Sequence, residues 1–384
     1  MRKLALLLAL VATATLVAAG VAFTQVPEGG DSDRFIVVLE DDVDSPSEAA
    51  NGIARRQNLE VGFVYSHALN GFSAAIPEGR LAAVRDNPRV AYVERDIPMH
   101  AVAQTLPWGV DRIQADRSSA EAGNGEGVVP DVTVYVIDSG IYRHTDLKVV
   151  RHVNRTGDGR NTDCNGHGTH VAGILAARDN TSDVVGVAPG VRLIGVKVLD
   201  CRGNGSASTV IKGIDWVTKN ARKPAVANIS ISSEPDQASQ AVDDAVRGSV
   251  ESGVFYSIAA GNFGEDACNF SPARVGAGTN NGVVTTAATN KSNLEPSWSN
   301  YGSCVDLWAP GASILSTQMG GGTVRMTGTS MASPHVGGTG ALYLSGHARA
   351  APARVESVLK ADSVRTNQES QDGRRIRRVH AGGY

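Results

Sequence analysis

The chain opens on an uncharged, largely apolar run, Leu4 to Phe23, behind the basic start Met1-Arg2-Lys3. A basic start, an apolar centre and small residues at Ala18, Ala19 and Ala22 form the pattern of a secretory signal peptide. Residues 1–22 are therefore expected to be cleaved and the protein secreted. An uncleaved membrane anchor competes with this reading, since the run nearly spans a bilayer, but threonines and a glycine dilute it. From Asp31 to about Ala101 the pattern changes. Arg34–Leu39 predicts a strand, Ser45–Gln57 a helix with alanines at helical spacing, and Ala68–Ile76 strand material around a turn. Pro77–Asn87 predicts a second helix and Val90–Glu94 another strand. That order predicts a small α+β domain of the split βαβ, ferredoxin-like type.

Further on, Val132–Ile137 is dominated by β-branched residues and predicts a buried parallel strand. Asp138 follows at its C-terminal end, where open α/β sheets place their sites. Asn165-Gly166-His167-Gly168-Thr169-His170 precedes small apolar residues at helical spacing, so His167 should begin a buried helix. Gly328-Thr329-Ser330-Met331-Ala332 precedes another run of helix formers and glycines, ending near Gly346. A serine hydroxyl there would feel the positive end of the helix dipole, and free backbone N–H groups could hold an oxyanion. Pro352–Asp362 predicts a last helix. The polar, basic tail from Thr366 to Tyr384 predicts a solvated terminus.

Composition narrows the function. The 384 residues carry a net charge of −3 with mixed signs and no large basic cluster, which argues against nucleic acid as a partner. There is no internal repeat, P-loop or dinucleotide fingerprint. The roughly 280 residues after the first domain suit one large α/β domain. Four cysteines, Cys164, Cys201, Cys268 and Cys304, argue for disulfides behind a signal peptide, and counting alone leaves three pairings open. A zinc site built from all four thiolates is the weaker alternative, because no C-x-x-C pair exists. His167 and His170 could share a metal, but HGTH lacks the glutamate a metalloprotease needs.

Three segments, VYVIDSG, NGHGTHVAG and GTSMASPHV, in the chain order Asp, His, Ser, resemble the subtilisin-like serine proteases. Other hydrolase families carry these groups in other orders, and Ala332 breaks the G-x-S-x-G elbow. The resemblance implies an α/β fold whose mostly parallel twisted sheet carries helices on both faces. It implies a serine endopeptidase with Ser330 as nucleophile, His167 as general base and then acid, and Asp138 orienting the imidazole. Asn262, in Ile-Ala-Ala-Gly-Asn, matches the family asparagine that helps bind the oxyanion. Residues 31–101, with ALNGFSA and VAYVERD, resemble the family's inhibitor I9-like propeptide, implying a folding chaperone and inhibitor removed by self-cleavage near Ala101–Gln104. Residues 103–384 would then be the catalytic domain, expected to act as a monomer on protein and peptide substrates.

The cysteine contexts resemble the aqualysin-like branch of the proteinase K family, which implies Cys164–Cys201 and Cys268–Cys304. The same resemblance implies a substrate groove walled by Gly203, Asn204 and Gly205 on one edge and Ser230, Ile231 and Ser232 on the other. Ala259, Ala260 and Gly261 would close the pocket before the scissile bond. None of these is charged, so a broad or apolar preference is expected. Two departures bear on the groove: Ser232 stands where the family usually has glycine, and Ala207 where relatives have an aromatic lid. Structural calcium is also implied, with Asp306 as a carboxylate ligand and Asp158, Asp163 and Asp111 as further candidates. The loop expected to supply carbonyl ligands beside Asp306, Arg274 to Val283, is about five residues longer than in proteinase K. An inactive peptide-binding relative, and an esterase or peptide ligase using the same acyl-enzyme, are the competing functional readings.

Overall fold

The computed structural model describes residues 34–96 and 104–384. The signal-peptide reading of residues 1–22 and the first residues of the expected mature chain, 101–103, lie outside the described residues. The chain divides into two compact units, Met1–His100 and Ala101–Tyr384.

The first unit contains β1 (Arg34–Leu39), α1 (Pro46–Gln57), β2 (Glu60–Ser66), β3 (Asn70–Ala75), α2 (Glu78–Arg85) and β4 (Val90–Arg95). Its four strands pair antiparallel in the order β2-β3-β1-β4. Ser45 caps α1 by accepting from the Glu48 N–H, and Pro46 occupies the first helical turn, where no donor is lost. Ala49, Ala50 and Ile53 of α1 are buried in one core with Phe35, Val37 and Phe72 of the sheet. The sequence pattern did not reveal β2. Its side chains do not alternate between buried and exposed, and Phe63 is 71% exposed, so the period-2 signal of a half-buried strand is missing.

The second unit begins with α3 (Trp108–Arg112), β5 (Thr133–Asp138), β6 (Val149–Asn154), α4 (His167–Ala176) and β7 (Arg192–Lys197). There follow α5 (Ala207–Asn220), β8 (Ala225–Ile229), α6 (Gln240–Glu251), β9 (Phe255–Ala259) and β10 (Val283–Thr289). The chain continues through β11 (Leu307–Pro310), β12 (Ile314–Thr317), β13 (Thr323–Met326), α7 (Thr329–Gly346), α8 (Pro352–Ala361), β14 (Val364–Glu369) and β15 (Arg375–Arg378). Nine strands form one sheet in the order β14-β15-β11-β10-β9-β8-β5-β7-β6. All of its pairings are parallel except β14 with β15. Every residue of β5, β8, β9 and β10 is buried, as expected of central strands covered on both faces. One face packs on α4 and α7 through Val171, Leu175, Val336 and Leu342. The other packs on α5 and α6 through Val210, Ile214, Val242 and Val246.

The tail corrects the reading of a solvated terminus. Residues 364–378 form the β14–β15 hairpin that extends the sheet edge, and Ile376, Val379 and Ala381 are fully buried. Ile376 and Val379 stand among arginines that are exposed (Arg375), half-buried (Arg377) and buried (Arg378), so the strand presents a polar, basic composition. No helix among the described residues is long and apolar enough to cross a membrane.

Candidate active site

The parallel sheet delivers the site. Asp138 is the last residue of β5, and its side chain is fully buried. Its Oδ1 accepts from the Ser139 N–H at 2.7 Å and from His167 Nδ1–H at 2.8 Å. Among the described residues, no donor reaches Oδ2. His167 is the first residue of α4. Because Nδ1 donates to Asp138, Nε2 is left as the acceptor facing outward. Burial works against an imidazolium here, but Asp138 and, less strongly, Asp163 more than offset it and hold the His167 pKa above the usual histidine value.

A carboxylate with no assigned catalytic role holds α4 in place. Asp163, placed by the sequence among candidate metal ligands, is buried and fully engaged. It accepts from the Asn165, Gly166 and Thr169 N–H groups and from the hydroxyls of Ser139 and Thr169. It thereby satisfies first-turn donors of α4 and links the loop before His167 to the residue after Asp138. The disulfide Cys164–Cys201 joins that same loop to the turn after β7, and the second disulfide is Cys268–Cys304. Lys197, the last residue of β7, is also buried; its ammonium donates to the Ser139 and Leu199 carbonyls and lies 3.4 Å from Asp158.

Ser330 sits in the first turn of α7. Its Oγ donates to the Ser230 carbonyl at 3.1 Å, and no hydrogen bond joins it to His167. Ser230 also returns a bond, from its own hydroxyl to the Ser330 carbonyl at 2.9 Å. Pro334 explains the need. It lies four residues past Ser330, lacks the N–H that would close that helical bond, and leaves the Ser330 carbonyl free for Ser230. Asn228 donates to Ser230 Oγ and accepts from Ser333 Oγ, so β8 grips the start of α7 by side-chain bonds alone.

Asn262 Oδ1 accepts from both the N–H and the hydroxyl of Thr329. That fixes the amide, with Nδ2 on the Gly328–Ser330 side. A Cβ on Gly328 would stand 3.3 Å from it. The Ser330 N–H lies in the first turn of α7, where an i−4 helical acceptor is lacking. Replacing Asn262 with alanine is expected to lower kcat by about 10²–10³-fold with KM little changed, measured by steady-state peptide hydrolysis. Asn300 is buried and holds the preceding turn: it donates to the Ala260 carbonyl and accepts from the Phe263 and Glu265 N–H groups. Gly261 is required there, because a Cβ would stand 2.4 Å from Asn300 Nδ2, at a φ of 108°.

Of the expected groove residues, Gly203, Asn204, Gly205, Ile231 and Ser232 line one cavity of about 330 Å³, which also touches Ala207. Ser230, Ala259, Ala260 and Gly261 lie instead along the chain segments that bond α7 at Ser330 and Thr329. Glu234, exposed at the cavity wall, adds a carboxylate that the sequence reading of an uncharged groove did not include. Local patterns gave no signal for Asp163, Lys197, Asn228 or Asn300 as supports. Each has at least one partner more than twenty residues away: Ser139 for Asp163 and Lys197, Ser333 for Asn228, Phe263 and Ala260 for Asn300.

Asp306 and Asp158, like Asp163, are engaged by groups of the protein, whereas Asp111 is exposed. Asp306 Oδ1 lies 2.8 Å from the Lys360 ammonium, and Oδ2 accepts from the Thr285 N–H. Asp158 is engaged by Asn154, Arg160 and Lys197, and Gln114, beside the exposed Asp111, bonds His380. The cluster of Asp158 with Cys164 and Cys201 offers no thiolate, because both sulfurs are in a disulfide. His170 is no ligand either: its Nε2 donates to the Ile314 and Val324 carbonyls in the interior.

His170 and His335 add an acid sensitivity. Each is fully buried, donates from one ring nitrogen to backbone carbonyl and has no partner at the other among the described residues. Burial pushes both pKa values down to about 4. Unfolded histidines take up protons near pH 6.5. Their contribution to stability is therefore complete above that pH and is lost as pH falls from 6.5 toward 4. The expected loss is about 3 kcal/mol per histidine, and replacing either with glutamine should flatten the melting temperature against pH over that window.

A buried carboxylate bonded to the first residue of α4, a serine in the first turn of α7 and an asparagine amide bonded at that same turn, at the C-terminal ends of the strands of a parallel sheet, are the groups a serine hydrolase of α/β architecture would use. Residues 130–378 match the subtilase family, peptidase S8, and residues 34–101 match peptidase inhibitor I9. An extracellular serine proteinase of a Thermus strain is 42% identical over 320 residues, covering 79% of this chain and 73% of the relative. Alkaline serine exoprotease A of Vibrio alginolyticus is 38% identical over 355 residues, and this chain spans 63% of its length. The crystal structure of a cold-adapted subtilisin-like serine proteinase superposes with a TM-score of 0.64 at 39% identity, covering 72% of this chain and 98% of that one. The chain belongs to the subtilase family of subtilisin-like serine proteases.

Proposed function

We propose that this chain is a secreted, self-processing serine endopeptidase. The observation that carries the reading is the Asp138–His167 pair at 2.8 Å, together with a serine bonded by Ser230 and an asparagine amide bonded by Thr329 at the start of α7. Ser330 Oγ turns about χ1 from the Ser230 carbonyl toward His167 Nε2 when substrate displaces the resting bond. It then attacks the scissile carbonyl while His167 takes its proton. The tetrahedral oxyanion lies against the Ser330 N–H and Asn262 Nδ2. His167⁺ protonates the leaving amine, and water, deprotonated by the same imidazole, hydrolyses the acyl-enzyme.

Residues 31–101 act as an intramolecular chaperone and inhibitor, and the catalytic domain, 103–384, works as a monomer on proteins and peptides. The uncharged Ser230–Ser232 and Ala259–Gly261 segments favour a broad or apolar preference before the scissile bond. The test is digestion of an unstructured protein with mapping of the termini, beside matched ester and amide substrates. Internal cleavage after apolar residues is expected. Ester hydrolysis without any peptide cleavage would favour the esterase reading, and neither activity would favour the peptide-binding one.

A further inference from the structure

Helix α8 carries Glu356 and Lys360 one turn apart, and both reach the same place under β10 and β11. The Lys360 ammonium lies 2.8 Å from Asp306 Oδ1 and 3.0 Å from Glu356 Oε1. The remaining carboxylate oxygens are taken by backbone: Asp306 Oδ2 by the Thr285 N–H at 2.9 Å and Glu356 Oε2 by the Gly282 N–H at 2.7 Å. The side chains of Asp306 and Glu356 are 5% and 0% exposed. Two buried carboxylates need a cation, since each unpaired charge in the interior is strongly unfavourable. Gly282 is at the end of the lengthened loop that was expected to offer carbonyl oxygens. Here it turns an N–H toward Glu356, a donor that suits an anion and repels a metal. Asp306, Glu356 and the two N–H groups thus form a closed set with one cation position, and that position holds an amine of the chain itself.

We propose that Lys360 is a built-in replacement for a structural metal at Asp306: the ammonium ties α8 to β10 and the start of β11, and the native protein binds no divalent cation there. The inference depends on the folded catalytic domain and not on its chemistry, so it survives if the protease reading fails.

The test uses mature protein blocked with a covalent serine reagent, calcium counting by equilibrium dialysis, and thermal melting with calcium or chelator. Asp306→Asn is expected to bind as many calcium ions as wild type. Lys360→Met is expected to melt lower by about 5–10 °C in chelator. Calcium should restore part of that loss in Lys360→Met and none of it in Lys360→Met/Asp306→Asn. One calcium ion fewer in Asp306→Asn would overturn the proposal by placing a metal on that carboxylate. So would a Lys360→Met protein whose melting responds to calcium no more than wild type does. If Lys360→Met yields no folded protein, the Asp306→Asn ion count decides alone.

Discussion

Ser330→Ala should abolish peptide hydrolysis and leave the first unit covalently attached to the second. The expected loss in kcat is about 10⁶-fold, the value known for removal of the nucleophile in subtilisin, a member of this family. The magnitude is large because the remaining groups have nothing to act on. His167 would have no hydroxyl to deprotonate, and the oxyanion donors, Asn262 Nδ2 and the N–H of residue 330, would retain only the catalysis that binding and charge stabilisation provide to attack by water. The fold should survive. The Ser330 carbonyl that receives Ser230 Oγ is backbone and stays, and only the 3.1 Å bond from Ser330 Oγ to the Ser230 carbonyl is lost. Intact mass of the purified variant reads both effects, since self-processing requires the same nucleophile. A variant that still released residues 31–101 in the absence of other proteases would show that another residue cuts the junction.

Asp138→Asn is expected to lower kcat by roughly 10⁴-fold while leaving the fold intact. Asp138 is fully buried and accepts from both the Ser139 N–H and His167 Nδ1. An amide keeps the shape and can still accept from Ser139 through its oxygen. Its NH₂ group cannot accept from Nδ1–H, so it favours the imidazole tautomer that carries the proton on Nε2, where the base function is lost. The residual activity should also change its pH dependence. Asp138 is the main group raising the His167 pKa, against burial, which lowers it. Without the carboxylate, burial prevails. The acid limb of kcat/KM should therefore move to lower pH than in wild type. A limb at the same pH as in wild type, with only the amplitude reduced, would mean that Asp138 does not set the imidazole.

The parts of this site that were legible from sequence are those whose environment is local. Six consecutive buried residues make β5 readable as a central strand, and Asp138 stands at its C-terminal end, where the chain turns away. Glycines before His167 and small residues after it announce a buried helix, and α4 is buried along nearly its whole length. The sequence could not show what holds these elements. Asn228 bonds Ser333 and Ser230 bonds Ser330 across about a hundred residues, and Asn300 reaches back to the turn at Ala260. Such bonds leave no period in the chain, because a buried polar side chain is chosen for one partner at one distance. The tail failed for a related reason: the arginines of β15, one of them buried, outweigh Ile376 and Val379 in composition. At Asp306 the resemblance implied calcium, and the carboxylate faces the Lys360 ammonium instead. The spacing of Glu356 and Lys360 is visible as a helical ion pair, but only the packing of α8 brings that pair to Asp306.

The most direct measurement of the central claim is covalent capture of the nucleophile. Mature protein should be treated with a fluorophosphonate, digested and mapped by mass, with peptide hydrolysis followed on the same sample. One adduct per chain is expected, on Ser330, with activity falling in proportion to its occupancy. Labelling should slow sharply in His167→Ala, whose serine has no base. An adduct on any other residue, or full hydrolysis by protein modified completely at Ser330, would contradict the assignment of Ser330, His167 and Asp138 as one catalytic unit.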